Sequence, residues 1–142
     1  MKAILIQCSA VLVIFVAGVW VGKTTTADAA AKGRVFEIRT YTANEGKLDA
    51  LHARFRNHTA KIFEKHGMTN VGYWKPLDEP LSKNTLIYVL AYTDREAAKK
   101  AWAAFRNDPE WAKAKEASEV NGVLTAKVDS IYMEATDYSA MK

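Results

Sequence analysis

The stretch Val35-Phe36-Glu37-Ile38-Arg39-Thr40-Tyr41 decides how the rest of the chain is read. Phe36, Ile38 and Thr40 fall on one side and Glu37, Arg39 and Tyr41 on the other, which is the two-residue period of a β-strand. Working outward, Asn44 is placed to cap a helix starting at Glu45. Leu48, Leu51, Phe55, Ile62 and Phe63 then recur at helical spacing up to His66, and Gly67 supplies a left-handed stop. Thr69 to Lys75 reads as a second strand, ended by Pro76 and Pro80. Thr85 to Tyr92 is a third. Thr93 followed by Glu96 has the spacing of a capping box, ahead of a helix whose apolar stripe is Ala98, Ala101, Trp102 and Phe105. Asp108-Pro109 restarts a shorter helix, Asn121-Gly122 makes a turn, and Val123 to Glu134 is a last long strand. The order βαββαβ predicts an α+β, ferredoxin-like fold with the helices on one face of an antiparallel sheet.

Before this domain lies a segment of a different kind. Lys2 precedes an apolar stretch from Ala3 to Val21, and Ala27-Asp28-Ala29 offers small residues where a signal peptidase reads. Residues 1–29 are therefore expected to be a signal peptide, or alternatively an uncleaved anchor spanning residues 3–21. Residues 30–33 form a tether, 34–135 the folded domain and 136–142 a loose polar tail. The expected location is periplasmic or secreted, with membrane anchoring as the alternative. The single cysteine, Cys8, falls inside the apolar stretch, so the domain has neither disulfides nor a thiol nucleophile. With 142 residues, 49% apolar content and a formal charge of +4 spread among acids, the chain has the composition of one globular domain. It lacks the basic stripe of a nucleic-acid binder.

Two short helices cover only one face of a four-stranded sheet. The alternation puts Phe36, Ile38, Trp74, Ile87, Val89, Leu124 and Val128 on the covered face. The other face then carries Tyr73, Tyr88 and Leu90, with Glu37 and Arg39 among them. Such a surface is too apolar for water. Tyr73, Tyr88 and Leu90 are accordingly the expected contacts of a homodimer packed sheet to sheet.

Several segments together carry a resemblance. They are Phe36-Glu37-Ile38-Arg39-Thr40-Tyr41-Thr42, Gly46-Lys47-Leu48, Phe55-Arg56-Asn57-His58-Thr59, Phe63-Glu64-Lys65-His66-Gly67, Val71-Gly72-Tyr73-Trp74, and Trp102 with Phe105-Arg106-Asn107-Asp108-Pro109-Glu110-Trp111. In order and spacing they resemble the NIPSNAP family of the dimeric α/β-barrel superfamily over about residues 34 to 134. The resemblance implies a homodimer whose two sheets form a barrel, and it implies little about activity. Animal members are linked to mitochondria and vesicle traffic, and the leader of this chain departs from them.

His58 is the candidate catalytic residue. It lies on the helical stripe, three residues after Phe55, where it would be a general base or a heme ligand between helix and sheet. The plainer alternative is a core histidine held by a neighbour. Glu37, Arg39 and Tyr41 share a face and, with His58, Tyr73 and Trp74, are the candidate ligand-binding residues. Arg39 would grip an anion and a tyrosine would donate a hydrogen bond. Their plainer role is an ion pair and packing. His52 and His66 lie fourteen residues apart, too far for one metal on one helix face, and His52 and His58, six apart, face different sides, so no metal site is expected. No cofactor is expected either. The reading that follows is an exported homodimer that binds a small apolar or aromatic ligand, or a partner, without an evident catalytic site. The alternative is a small cofactor-free monooxygenase-like or heme-handling enzyme with a pocket between helix and sheet.

Overall fold

The computed structural model describes residues 34–142; the leader and tether assigned from sequence lie outside them. Four strands, β1 (Val35–Ala43), β2 (Thr69–Trp74), β3 (Thr85–Tyr92) and β4 (Thr125–Glu134), form one sheet in the order β2-β3-β1-β4. Every neighbouring pair is antiparallel. Between β1 and β2 run α1 (Leu48–Arg54), a π-helical turn (Phe55–Thr59) and α2 (Ala60–Lys65). Between β3 and β4 run α3 (Arg95–Arg106) and α4 (Pro109–Ser118). This is the ferredoxin-like α+β arrangement. Among the described residues no helix is long and apolar enough to cross a membrane.

The local signals differ in detail from their sequence reading. The first helix begins at Leu48, because Asn44 donates its side-chain amide to the Val123 carbonyl instead of capping. Asp94, not Thr93, caps α3 by accepting from the Ala97 amide at 2.7 Å. Asp108 does cap α4, accepting from the Glu110 amide at 2.7 Å, and Pro109 opens that helix. Gly67 takes the left-handed φ of 77° that ends α2.

The helices lie on the sheet face opposite to the one expected. Leu86, Tyr88, Leu90 and Tyr92 point at them and are all buried with Phe55, Phe63, Trp102 and Phe105. Registers Glu37↔Leu90, Arg39↔Tyr88 and Tyr41↔Leu86 put Glu37, Arg39 and Tyr41 on that same face. Tyr88 and Leu90 are 0% exposed within the protomer, and Tyr73 stacks on Tyr88 with centroids 5.5 Å apart. Tyr88 and Leu90 are therefore core and not available to a second copy, and Tyr73 is half-buried against them on the helix-covered side. The open face carries Ile38, Val71, Trp74, Ile87, Val89 and Ile131 instead. Ile131 is 63% and Trp74 51% exposed. The Trp74 indole folds over Gly72, where a Cβ would come within 2.6 Å of the ring. Of the tail, Ser139 and Met141 line a hollow with Phe36, Trp74 and Met133 at one end of the open face.

Candidate functional site

The buried centre of the helix-covered face is a carboxylate. Glu37 is 1% exposed, and four donors converge on its two oxygens. Trp102 donates its indole N–H to Oε2 at 2.6 Å, and Tyr92 donates its hydroxyl to the same oxygen at 2.7 Å. Ser130 donates to Oε1 at 2.6 Å and Arg39 to Oε1 at 3.2 Å. The donors come from β1, β3, β4 and α3, so this one side chain ties the sheet to a helix. Charge-assisted bonds of this kind offset the cost of removing a carboxylate from water. Arg39 also lies 4.1 Å from the centre of the Trp102 ring, a cation–π contact. Burial opposes the Arg39 charge, and the oxygens of Tyr88, Tyr41 and Glu37 outweigh it, so its pKa is raised and it stays a cation. Burial, then the neighbouring Tyr41, pushes the Tyr88 phenol well above its usual range, so it remains neutral.

Beside this cluster is a cavity of about 300 Å³ between sheet and helices. Its walls are aromatic: Tyr41 from β1, Phe55 from the π turn, Phe63 from α2, Phe105 from α3 and Trp111 from α4. Thr125 and Val128 of β4, with Val123 just before it, line the remaining side, where both valines are exposed, and Arg54, Lys115 and Glu119 stand at the polar end. Arg54 is held by Glu119 at 2.9 Å and by Ser118 at 3.3 Å, with its guanidinium 5.2 Å from the Trp111 ring centre. Two buried polar atoms of lining residues have no partner, Arg54 Nε and Thr125 Oγ1. Arg39 Nε and the Tyr88 hydroxyl are likewise buried and unpaired nearby, Tyr88 lying 5.4 Å from Tyr41 and 5.9 Å from Phe63 by ring centroids. Buried donors without acceptors are costly, and apolar walls with a few such groups are the usual make-up of a small-molecule site. Among the described residues no group of three histidines, cysteines or carboxylates is placed to hold a metal ion.

The residues singled out from sequence are thus divided. Glu37, Arg39 and Tyr41 do share a face; Tyr41 lines the cavity, the Arg39 guanidinium lies 5.7 Å from the Tyr41 ring centre, and Glu37 is held in the network with Trp102 and does not line it. His58 does not: it is exposed, in a groove against α4 with Lys61, Ala114 and Ala117. The π turn is the reason. Ala60 donates its amide to the Phe55 carbonyl, five residues back, and the added residue puts Thr59 on the buried line between Phe55 and Phe63. Trp74 lies on the open face, and Tyr73 lines a different cleft, with His52. Sequence reasoning missed Arg54, Trp111 and Thr125 as site residues. A basic side chain beside Phe55 carries no signal of burial, and Trp111 reads as ordinary packing.

A family model described as NIPSNAP matches residues 36–140. The chain belongs to the NIPSNAP family. Solved structures agree with this assignment of the fold. A NIPSNAP family protein from Agrobacterium tumefaciens, described as having unknown function, superposes with a TM-score of 0.68 at 20% identity, covering 79% of this chain and 96% of that one. An uncharacterised NIPSNAP-like domain protein from Burkholderia xenovorans gives 0.66 at 18% identity, covering 76% and 90%. A mutant of SnoaB from Streptomyces nogalater, described as a cofactor-independent oxygenase, gives 0.53 at 17% identity, covering 75% and 99%. Identities this low establish a shared fold for the NIPSNAP domain and nothing about its chemistry. No curated protein matches the chain.

Proposed function

We propose that this NIPSNAP domain is an exported homodimer that binds a small aromatic molecule in the cavity between sheet and helices. The observation that carries the reading is a cavity of about 300 Å³ walled by five aromatic rings, with Arg54 Nε and Thr125 Oγ1 buried beside it and unpaired. Both atoms can donate, so the ligand they suit is planar, largely apolar and carries at least one hydrogen-bond acceptor. Dimerisation is supported by the open face, where Ile38, Ile87, Val89 and Ile131 have no helix over them. Export is supported by the apolar stretch and small residues that precede the domain.

A titration with 1-naphthol, followed by tryptophan fluorescence, tests the binding. Trp111 lines the wall, so its emission should change and saturate at one ligand per protomer. Val128→Trp, which fills the cavity from the β4 side, should abolish the change. Thr125→Val should weaken binding about tenfold, the effect of leaving one acceptor unmatched. Emission unaffected by 1-naphthol, or a response that Val128→Trp leaves intact, would refute the reading. A second reading is cofactor-free oxidation of the bound aromatic. It draws on the unpaired Tyr88 hydroxyl and Arg39 Nε behind the cavity, and oxygen uptake on ligand addition separates it from simple binding. The heme-handling alternative loses its candidate ligand, since His58 lies outside the cavity.

A further inference from the structure

The π turn has a second consequence on its other side. Phe55 projects between two hollows: the cavity already described and a cleft of about 220 Å³ between the helix and the β2–β3 edge of the sheet. His52, Arg56 and Ala60 line this cleft from the helical side, and Tyr73 and Leu86 from the sheet. Its walls suit a flat ring. The Phe55 and Tyr73 rings meet nearly edge to face, with centroids 5.8 Å apart and planes at 68°. The Tyr73 hydroxyl is used elsewhere, donating to Asn70 at 2.5 Å, so this residue offers its ring rather than a polar group. Leu86 is 1% exposed and supplies an apolar floor.

The polar groups of the cleft are of one kind. His52 Nε2 is buried with no hydrogen-bond partner. Arg56 is exposed at the rim and has no ion-pair partner among the described residues. Lys75, at the end of β2, adds positive charge, and Asp49 on α1 is the one acidic group acting on the imidazole. An apolar slot with a buried imidazole nitrogen inside and a free guanidinium at its mouth matches a ring carrying a carboxylate. The guanidinium presents two parallel N–H groups to a carboxylate, and the imidazole adds a third donor.

We propose that this cleft, lined by His52, Phe55, Arg56 and Tyr73, is a second binding site that takes a small aromatic acid. The proposal does not rest on the function assigned to the first cavity. It has a signed pH dependence. Burial, then the nearby Lys75, holds the His52 pKa below its usual 6.5, so the free protein carries a neutral imidazole near neutrality. A bound carboxylate favours the imidazolium, so binding and protonation reinforce one another and affinity rises as pH falls.

Benzoate is the probe, followed by calorimetry and by the NMR titration of the His52 ring. Benzoate should raise the His52 pKa, and its affinity should weaken about tenfold between about pH 5.5 and about pH 7.5. Benzamide, which lacks the charge, should bind more weakly and without this pH dependence. Arg56→Gln, at an exposed position, should lower benzoate affinity about tenfold with the fold intact, and His52→Gln should flatten the pH profile. Val128→Trp, on the far side of Phe55, should leave benzoate binding unchanged, which separates failure of this site from failure of the first cavity. A His52 titration that benzoate does not move, or Arg56→Gln binding benzoate as tightly as the parent, would overturn the proposal.

Discussion

Glu37 is the residue on which the interior depends most. Its carboxylate accepts from Trp102, Tyr92, Ser130 and Arg39, and an alanine would leave the buried Trp102 and Tyr92 donors without a partner and the half-buried Arg39 without its counter-charge. Removing one partner of a buried charged network costs about 3–5 kcal/mol, because the remaining groups stay desolvated. Urea denaturation of Glu37→Ala should show a loss of that size. A loss under about 1 kcal/mol would be the value of an ordinary hydrogen bond and would contradict the network. At this scale the sequence was legible in part. Alternation alone grouped Glu37, Arg39 and Tyr41 on one side of β1. It carried no information that a glutamate would be sealed inside, because the donors that make this tolerable come from residues 92, 102 and 130. Nor did it mark Arg54 as buried, since that depends on Glu119 and Ser118 arriving from the far end of α4.

At the scale of elements, the helix from Leu48 to Lys65 and the start of α4 explain most of what sequence reading got right and wrong. Its apolar stripe was visible, and Leu48, Leu51, Phe55, Ile62 and Phe63 are all buried. The π turn was not visible. It is fixed by packing against the sheet and by the buried Thr59 hydroxyl, which donates to the Arg54 carbonyl at 3.3 Å, and neither leaves a pattern of period 3.6. One added residue was enough to move His58 from the buried side to the surface. The end of α2 is clasped to the start of α4. Asp108 accepts from Lys65 at 2.9 Å and pairs with His66 at 2.6 Å while it caps the helix. The Lys65 bond, then the His66 bond, holds the Asp108 carboxyl well below the usual carboxylate range. A carboxylate with a lowered folded pKa stabilises at pH above its unfolded value near 3.8, and that stability is lost as pH falls. Asp108→Asn should therefore lower the melting temperature at neutral pH, and the gap to the parent should narrow on acidification to about pH 3. A gap that is constant with pH would mean that the cap alone, and not the ion cluster, holds the two helices together.

The whole molecule turns on which face of the sheet the helices cover. Both faces are apolar, so alternation divided the strand residues into two sets without saying which set lies inside. Phe36, Ile38, Ile87 and Val89 look more like core than a set containing Glu37, Arg39 and four tyrosines. The tyrosine set is nevertheless the one buried, because Trp102, Tyr92 and Ser130 satisfy Glu37 and the rings pack on Phe55 and Phe63. The reversal moves the proposed dimer contact and sharpens its test. Ile131→Asp lies on the exposed open face and should give a folded monomer by light scattering, where the parent gives a dimer. Leu90→Asp, under the helices, should unfold the protomer, since an unpaired buried charge costs several kcal/mol. A parent that stays monomeric at high micromolar concentration, or an Ile131→Asp protein that remains dimeric, would remove the open face as the interface.

Ligand binding by this protein requires that the aromatic cavity be the place where the ligand sits. A crystal structure of the protein grown with 1-naphthol tests this most directly. The predicted result is ligand density between Phe55, Phe105 and Trp111, with the naphthol oxygen within hydrogen-bond distance of Arg54 Nε or Thr125 Oγ1. A cavity occupied only by water or by shifted side chains, with naphthol absent or bound elsewhere on the protein, would contradict it.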